Sequence, residues 1–180
     1  MKQLNVRGVA HIAGATLDDV RIRPYGTTDR DRLLRMSARV SKASLYTRFF
    51  SGTPRIPDHY LAAMDRLDHW DREAMVGLVD GEMVGIAEYV RDVRAPGHAE
   101  IAVLVADPWQ RRGLGSHLVG YLTQLAVRRG ITEFGADVIL SNRCALLFVR
   151  NGWPAARART EEGAARFHLP LPPPQAAAHL

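Results

Sequence analysis

The chain has 180 residues, 47% of them hydrophobic and 24% charged, a composition that suits one globular domain and excludes a disordered chain. No run approaches the ~18 uncharged apolar residues of a membrane-spanning helix, and the single cysteine, Cys144, excludes an intrachain disulfide and a Cys-rich zinc site. The net charge of +5 rests on arginine, with Lys2 and Lys42 the only lysines. A basic balance admits a phosphorylated cofactor, a nucleic acid or an anionic membrane. The arginine-rich stretches lack the interleaved aromatics of single-strand binders. Neither nucleic acid nor membrane is the expected partner.

Residues 1–19 show no clear period and read as a flexible arm or an added edge strand. Met1 to Val20 has no long apolar run and carries Asp18 and Asp19, so no secretory leader is expected and the cytoplasm is the default location. Val20 to Arg23 reads as a short strand stopped by Pro24. Thr28-x-x-Asp31 has the spacing of a capping box and opens a helix to about Val40. Ser44 to Phe50 reads as a second short helix. Pro57 suits the first turn of a third, to about His69.

A hairpin follows, with Ala74 to Val79 and Met83 to Val90 joined by Asp80-Gly81, a strong local turn signal. Glu100 to Ala106 is nearly continuous apolar sequence, which predicts a central strand. Gly113 to Arg129 has helical spacing and Gly130 stops it. Thr132 to Leu140 reads as a strand and Asn142 to Arg150 as a helix. Weaker strands are predicted at about Pro154 to Arg159 and Ala165 to Leu169. The expected order is β-α-α-α-β-β-β-α-β-α-β-β, an α/β domain over 20–169. A proline-rich tail, 170–180, follows it.

The informative stretch is Val103-Leu104-Val105-Ala106-Asp107-Pro108-Trp109-Gln110-Arg111-Arg112-Gly113-Leu114-Gly115-Ser116. A buried strand ends there and a helix opens at glycines. Such a start aims unpaired N–H groups and a positive dipole end at one spot, and a glycine lets an anion approach the backbone. The pattern is neither a P-loop nor a complete dinucleotide fingerprint. Gln110-x-x-Gly113-x-Gly115 instead resembles the pyrophosphate-binding motif of the GNAT superfamily of N-acetyltransferases. The segment from Asn142 to Trp153 resembles that superfamily's second motif, an Asn, a helix and a Gly-aromatic pair.

Within the superfamily, Ser44-Leu45-Tyr46-x-Arg48-Phe49-Phe50, Asp71-Arg72-Glu73-Ala74 and Ala99-Glu100-Ile101-Ala102-Val103 are similar to the catalytic domain of bacterial Pat-type protein lysine acetyltransferases. The resemblance covers about Val20 to Leu169. It implies a single-domain GNAT fold, a mixed and mostly antiparallel sheet flanked by helices. It implies acetyl-CoA as co-substrate, no metal, and a lysine-bearing protein, of the acyl-CoA synthetase type, as acceptor. The oligomeric state stays open. Domains of this type are often fused to sensor domains, and at 180 residues none is expected here.

The resemblance also places cofactor contacts at Val103, Leu104 and Val105, at Gln110, Arg111, Arg112, Gly113, Leu114, Gly115 and Ser116, and at Asn142. It makes Glu100 the general base, and partial burial at the start of a central strand is expected to raise its pKa. A structural acid paired with Arg91 or Arg94 is the competing reading. Glu88 is the rival base, though its apolar strand face suits a salt-bridged core acid better. The tyrosine acid of many relatives is replaced by Phe148 and Val149. Tyr89 and Tyr121 are substitutes, and a thiol of pKa near ~8.5 leaves with little help. Cys144 reads as a small buried helix residue. Arg55 to Glu73 carries five acids that could attract a basic acceptor. The alternatives to protein acetylation are a small-molecule amine acetyltransferase and an inactive acyl-CoA-binding module.

Overall fold

The computed structural model describes residues 14–173. Seven strands form one sheet in the order β1-β2-β3-β4-β5-β7-β6. They are β1 (Arg21–Pro24), β2 (Arg72–Val79), β3 (Glu82–Arg91), β4 (His98–Val105), β5 (Glu133–Ile139), β6 (Ala158–Glu161) and β7 (Ala164–Pro170). The helices are α1 (Arg30–Ser37), α2 (Lys42–Phe49), α3 (Asp58–Met64), α4 (Leu114–Arg128) and α5 (Arg143–Gly152). The expected order of elements is the observed one. Every strand pair is antiparallel except β4 with β5, as a helical crossover requires.

Local chemistry explains where the boundaries moved. Asp80 and Gly81, both at positive φ, make the predicted hairpin turn. The box at the first helix lies two residues before the predicted one: Asp29, not Asp31, is the acid that reaches back, and the helix itself opens at Arg30. The Asp29 carboxylate accepts the Gly26 N–H at 2.9 Å from a 3₁₀ turn over Thr27–Asp29. The third helix ends at Met64 rather than near His69. Asp68 there accepts the N–H groups of Trp70 and Arg72, each at 2.9 Å, and His69 is left-handed at φ 57°. A side chain that takes backbone donors in this way competes with the helix.

The two faces of the sheet are covered differently. Gly77 and Gly85 lie under α4, where a Cβ on either would come within 3.1 Å of Leu114 or Leu118 carbons, so the missing side chains let this helix sit close to β2 and β3. The opposite face carries Ile86, Glu88, Ala102 and Leu104, which are cross-strand partners, and lies beneath α1–α3. Leu33, Met36, Leu45, Leu61 and Met64 from those helices are fully buried. Of the expected arm, residues 1–13 lie outside the described residues. Leu17–Asp19 forms a 3₁₀ turn, and no strand forms between Gly14 and Val20. Pro170 closes β7, and residues 174–180 of the expected tail lie outside the described residues.

Candidate active site

The parallel pair is short. His98, Ala99 and Glu100 face Glu133, Phe134 and Gly135, and beyond them β4 and β5 separate. Two cavities fill the wedge, one of about 490 Å³ at the α4 end and one of about 250 Å³ nearer Glu100. Both are lined by Thr47, Val103, Val119, Asn142, Ala145 and Phe148, so they form one continuous cleft.

The register of β4 decides which of its amides face this cleft. The Ala106 N–H bonds to the Val84 carbonyl and the Asp92 N–H to the His98 carbonyl. Hydrogen-bonded pairs alternate along an antiparallel ladder, so the amides of Glu100, Ala102 and Leu104 point at β3. Those of Val103 and Val105 point the other way, into the wedge where β5 has left. The Leu104 amide is therefore committed to β3, and its side chain is buried. Gln110 braces the cleft wall. Its Nε2 lies 3.1 Å from the Val105 carbonyl and 2.9 Å from Ser44 Oγ, while Ser44 Oγ donates to Asp107 at 2.9 Å. These bonds tie the start of α2 to the turn between β4 and α4.

At that turn Arg111 and Gly113 both take positive φ, 60° and 89°. The first intrahelical bond of α4 is from the His117 N–H to the Gly113 carbonyl, so the amides of Leu114, Gly115 and Ser116 have no helical acceptor. Gly113, Gly115, Ser116 and Arg111 line the larger cavity. A Cβ on Gly115 would lie 3.7 Å from Val103 and 3.9 Å from Val105, in ordinary contact with the cleft wall. The protein itself therefore has room for a methyl there, and the empty space belongs to the cleft. Two of the expected contacts point their side chains elsewhere. Leu114 is fully buried, and Arg112 stacks on Trp109 and reaches the Ala15 carbonyl at 3.3 Å. Asn142 caps α5 through a 3.1 Å bond from the Ala145 N–H and lines both cavities.

Glu100 lies in the wall of the smaller cavity, its side chain 46% exposed. The expected upward pKa shift is reversed. Burial does push the carboxyl up, but bonds from Arg166 and His98 outweigh it and hold the group below its ordinary value. The partner is thus Arg166, from β7, rather than Arg91 or Arg94. Glu88 is a buried core acid paired with Arg48 and, at 2.7 Å, with Arg72.

The acids between Arg55 and Glu73 are all engaged within the chain. Asp58 pairs with Arg55, Asp65 with Arg30 and Asp71 with Arg91. Asp68 holds backbone amides, and buried Glu73 holds Arg129. Tyr89 donates to the Trp70 carbonyl at 2.8 Å and accepts from Arg129 at 2.7 Å, and Tyr121 is exposed. Neither tyrosine lines the cleft. Cys144, expected to be buried, is exposed and lines the larger cavity.

A model of the Acetyltransferase (GNAT) family matches residues 43–153. The chain belongs to the GNAT acetyltransferase family. It is 30% identical over 154 residues to acetyltransferase Pat of Mycolicibacterium smegmatis, a match that covers 84% of this chain and 46% of Pat. The chain thus spans less than half the length of that relative. It is 33% identical over 147 residues to acetyltransferase PA5475 of Pseudomonas aeruginosa, covering 74% of this chain and 78% of the relative. The GNAT domain of S. lividans PAT superimposes with a TM-score of 0.77 at 28% identity, over 84% of this chain and 90% of that one.

A GNAT acetyltransferase depends on acetyl-CoA, and this cleft fits the group. It offers outward-facing amides from β4 and from the start of α4 in one cavity, and at Gly115 a side chain would intrude. Among the described residues no group of three or more His, Cys, Asp or Glu is arranged to hold a metal, and no helix is long and apolar enough to cross a membrane. Sequence reasoning missed Ser44, Thr47 and Ser141 as cleft residues. The first two lie on α2, more than fifty residues before the motif, so no local spacing marks them. It also missed Arg166, whose only sequence signal is an arginine on a weak strand.

Proposed function

We propose that this acetyltransferase modifies lysine side chains of proteins, with enzymes of the acyl-CoA synthetase type as the acceptor class and the cytoplasm as its place of action. The observation that supports a transfer reaction is the Glu100 carboxylate in a cavity that opens into the cofactor cleft. The similarity to Pat-type domains favours protein lysine as acceptor.

Bound in the cleft, acetyl-CoA supplies an activated thioester. The amides of Leu114, Gly115 and Ser116, with Arg111 beside them, hold its diphosphate at the start of α4. The Val103 and Val105 amides, which face the wedge, would hold the cofactor's arm at the strand edge and could polarise its thioester. Glu100 takes a proton from the acceptor's ammonium, directly or through one water, and leaves the nitrogen lone pair free to attack. The side chains of Phe148 and Val119 line the junction of the two cavities.

Incubation with acetyl-CoA and a panel of acceptors tests this reading. The panel pairs purified acyl-CoA synthetases with polyamines and other small amines, and mass spectrometry locates the acetyl group. Lysine acetylation of the synthetase well above the small amines supports the proposal. The internal pairing of Asp58, Asp65 and Asp71 leaves less charge to attract a basic protein surface and favours a small amine as the second reading. Absence of any turnover would leave an acyl-CoA-binding module, the role that Phe148 in place of a tyrosine suggests.

A further inference from the structure

A carboxylate offers about four lone-pair positions, and in Glu100 most are taken. Oε1 accepts from His98 Nε2 at 2.9 Å and from Arg166 Nη2. Oε2 accepts from Arg166 Nη1 at 2.7 Å. One position remains, and it is on Oε2. Arg166 is itself held from the far side, because its Nη1 also donates to Asp137 Oδ2 at 2.8 Å.

The register builds this arrangement. Glu100 is opposite Gly135 and Asp137 is opposite Arg166, so the three charged groups share one face of neighbouring strands. A Cβ on Gly135 would come within 2.6 Å of Glu100 Oε1 and 2.7 Å of Arg166 Nη2. A glycine is therefore what leaves room for the guanidinium to grip the carboxylate. Glu100 and Asp137 line the smaller cavity, and the Arg166 guanidinium bonds to both.

We propose that Arg166 is the positioning residue of this active site: its fork occupies both oxygens of Glu100 and, with His98, leaves one lone pair of Oε2 to receive the acceptor's proton. The inference rests on Glu100 being the base. In the step, the ammonium N–H bond breaks and its electron pair stays on nitrogen. An O–H bond forms at Glu100 Oε2, and the carboxylic acid later returns its proton to solvent. Arg166 favours the ionised carboxylate, since a planar fork matches two anionic oxygens. The other charged groups around Glu100 are His98 on its own strand, Glu133 and Asp137 on β5, His168 on β7 and Arg48 on α2. Of these, His98 alone touches the carboxylate, and at one oxygen; Arg48 is committed to Glu88.

Two readouts on Arg166→Met separate the possibilities. One is the pH dependence of kcat/KM. The other is a carbon-13 NMR titration of the Glu100 carboxyl in the free enzyme, its signal assigned by its loss in Glu100→Gln. Expected are an acid limb and an NMR midpoint both raised by about one pH unit or more, a lower kcat and an unchanged KM for acetyl-CoA. Arg166→Lys, which keeps the charge without the fork, should restore the midpoint in part and kcat little. An unmoved NMR midpoint in folded Arg166→Met overturns the proposal. A moved midpoint with an unmoved activity limb also overturns it, by removing Glu100 from the proton path, and near-full activity in Glu100→Gln would report that same failure of the base reading. Should Arg166→Met not fold, Arg166→Lys decides alone: wild-type kcat in that variant overturns the fork.

Discussion

Gly113 and Gly115 stand two residues apart and do different work. Gly113 caps α4 at φ 89°, where a side chain strains the backbone. Gly115 has ordinary helical geometry, and a Cβ there would meet Val103 and Val105 of the cleft wall at ordinary contact distance. Gly113→Ala should therefore destabilise the fold by about 1–2 kcal/mol. Gly115→Val should leave the melting temperature near wild type while weakening CoA by on the order of tenfold or more. Thermal melts and calorimetric titration on the two variants check the split. Equal behaviour would mean that the cleft does not bind CoA along Gly115.

Glu100→Gln keeps the shape of the side chain and removes its basicity. If Glu100 is the base, kcat/KM should fall by about 10² to 10⁴ with CoA affinity unchanged. Because the folded pKa is depressed, the wild-type acid limb should lie below the ordinary 4.5, and the variant should lose it. The same depression links Glu100 to stability. Its contribution is complete above pH 4.5 and is lost as the pH falls through the folded value.

At the scale of elements, the short β1 is tied to α1 by one acid. Asp29 is fully buried and accepts from Arg23 at 2.6 and 2.8 Å, from Arg32 at 3.1 Å and from the Gly26 N–H at 2.9 Å. Burial pushes its pKa up, yet the Arg23 fork and the Gly26 amide outweigh that and hold it below 3.8. Both arginines can turn to solvent when the acid is lost, so Asp29→Ala should cost about 2–3 kcal/mol, less than an enclosed pair would. Stability from Asp29 is present above pH 3.8 and disappears as the pH falls through the depressed value. Urea unfolding of wild type and Asp29→Asn from pH 2 to 5, points set by about the ordinary carboxylate range, should show a steeper acid loss in wild type. Parallel curves would remove Asp29 from that role.

Over the whole molecule, the cleft is the place where the sheet parts. β4 and β5 pair over three residues each, and the two halves of the sheet then meet only through what lies between them. A ligand that binds both the β4 edge and the start of α4 binds the folded state alone. Acetyl-CoA at about 100 times its Kd should then stabilise the protein by about 2.7 kcal/mol. Differential scanning fluorimetry should show a melting temperature that rises with acetyl-CoA, and Gly115→Val should blunt the rise. A flat response in wild type would mean that the wedge is not the binding site.

Much of this was legible in the chain. Periodicity and turn chemistry gave the order of all twelve major elements, because Asp80-Gly81, the apolar run from Ile101 to Ala106 and the spacing from Leu114 to Ala126 are signals within one element. Likewise, Gly113 and Gly115 after a buried strand mark a helix start with unpaired amides, a signal that is local to the chain. The sequence by itself thus determined the class of fold and the family. Other features were decided only when distant residues met. Glu100 lies 66 positions from Arg166, and no local pattern couples them, so burial alone suggested a raised pKa where the paired guanidinium lowers it. Ser44 and Thr47 entered the cleft because α2 packs beside β4, and Asp65, Asp71 and Glu73 of the Arg55–Glu73 stretch were paired with arginines from elsewhere in the fold. Backbone propensities act over a few residues and can be read along the chain. Charge, solvation and the walls of a cavity depend on what lies across space, and here register and helix packing set them.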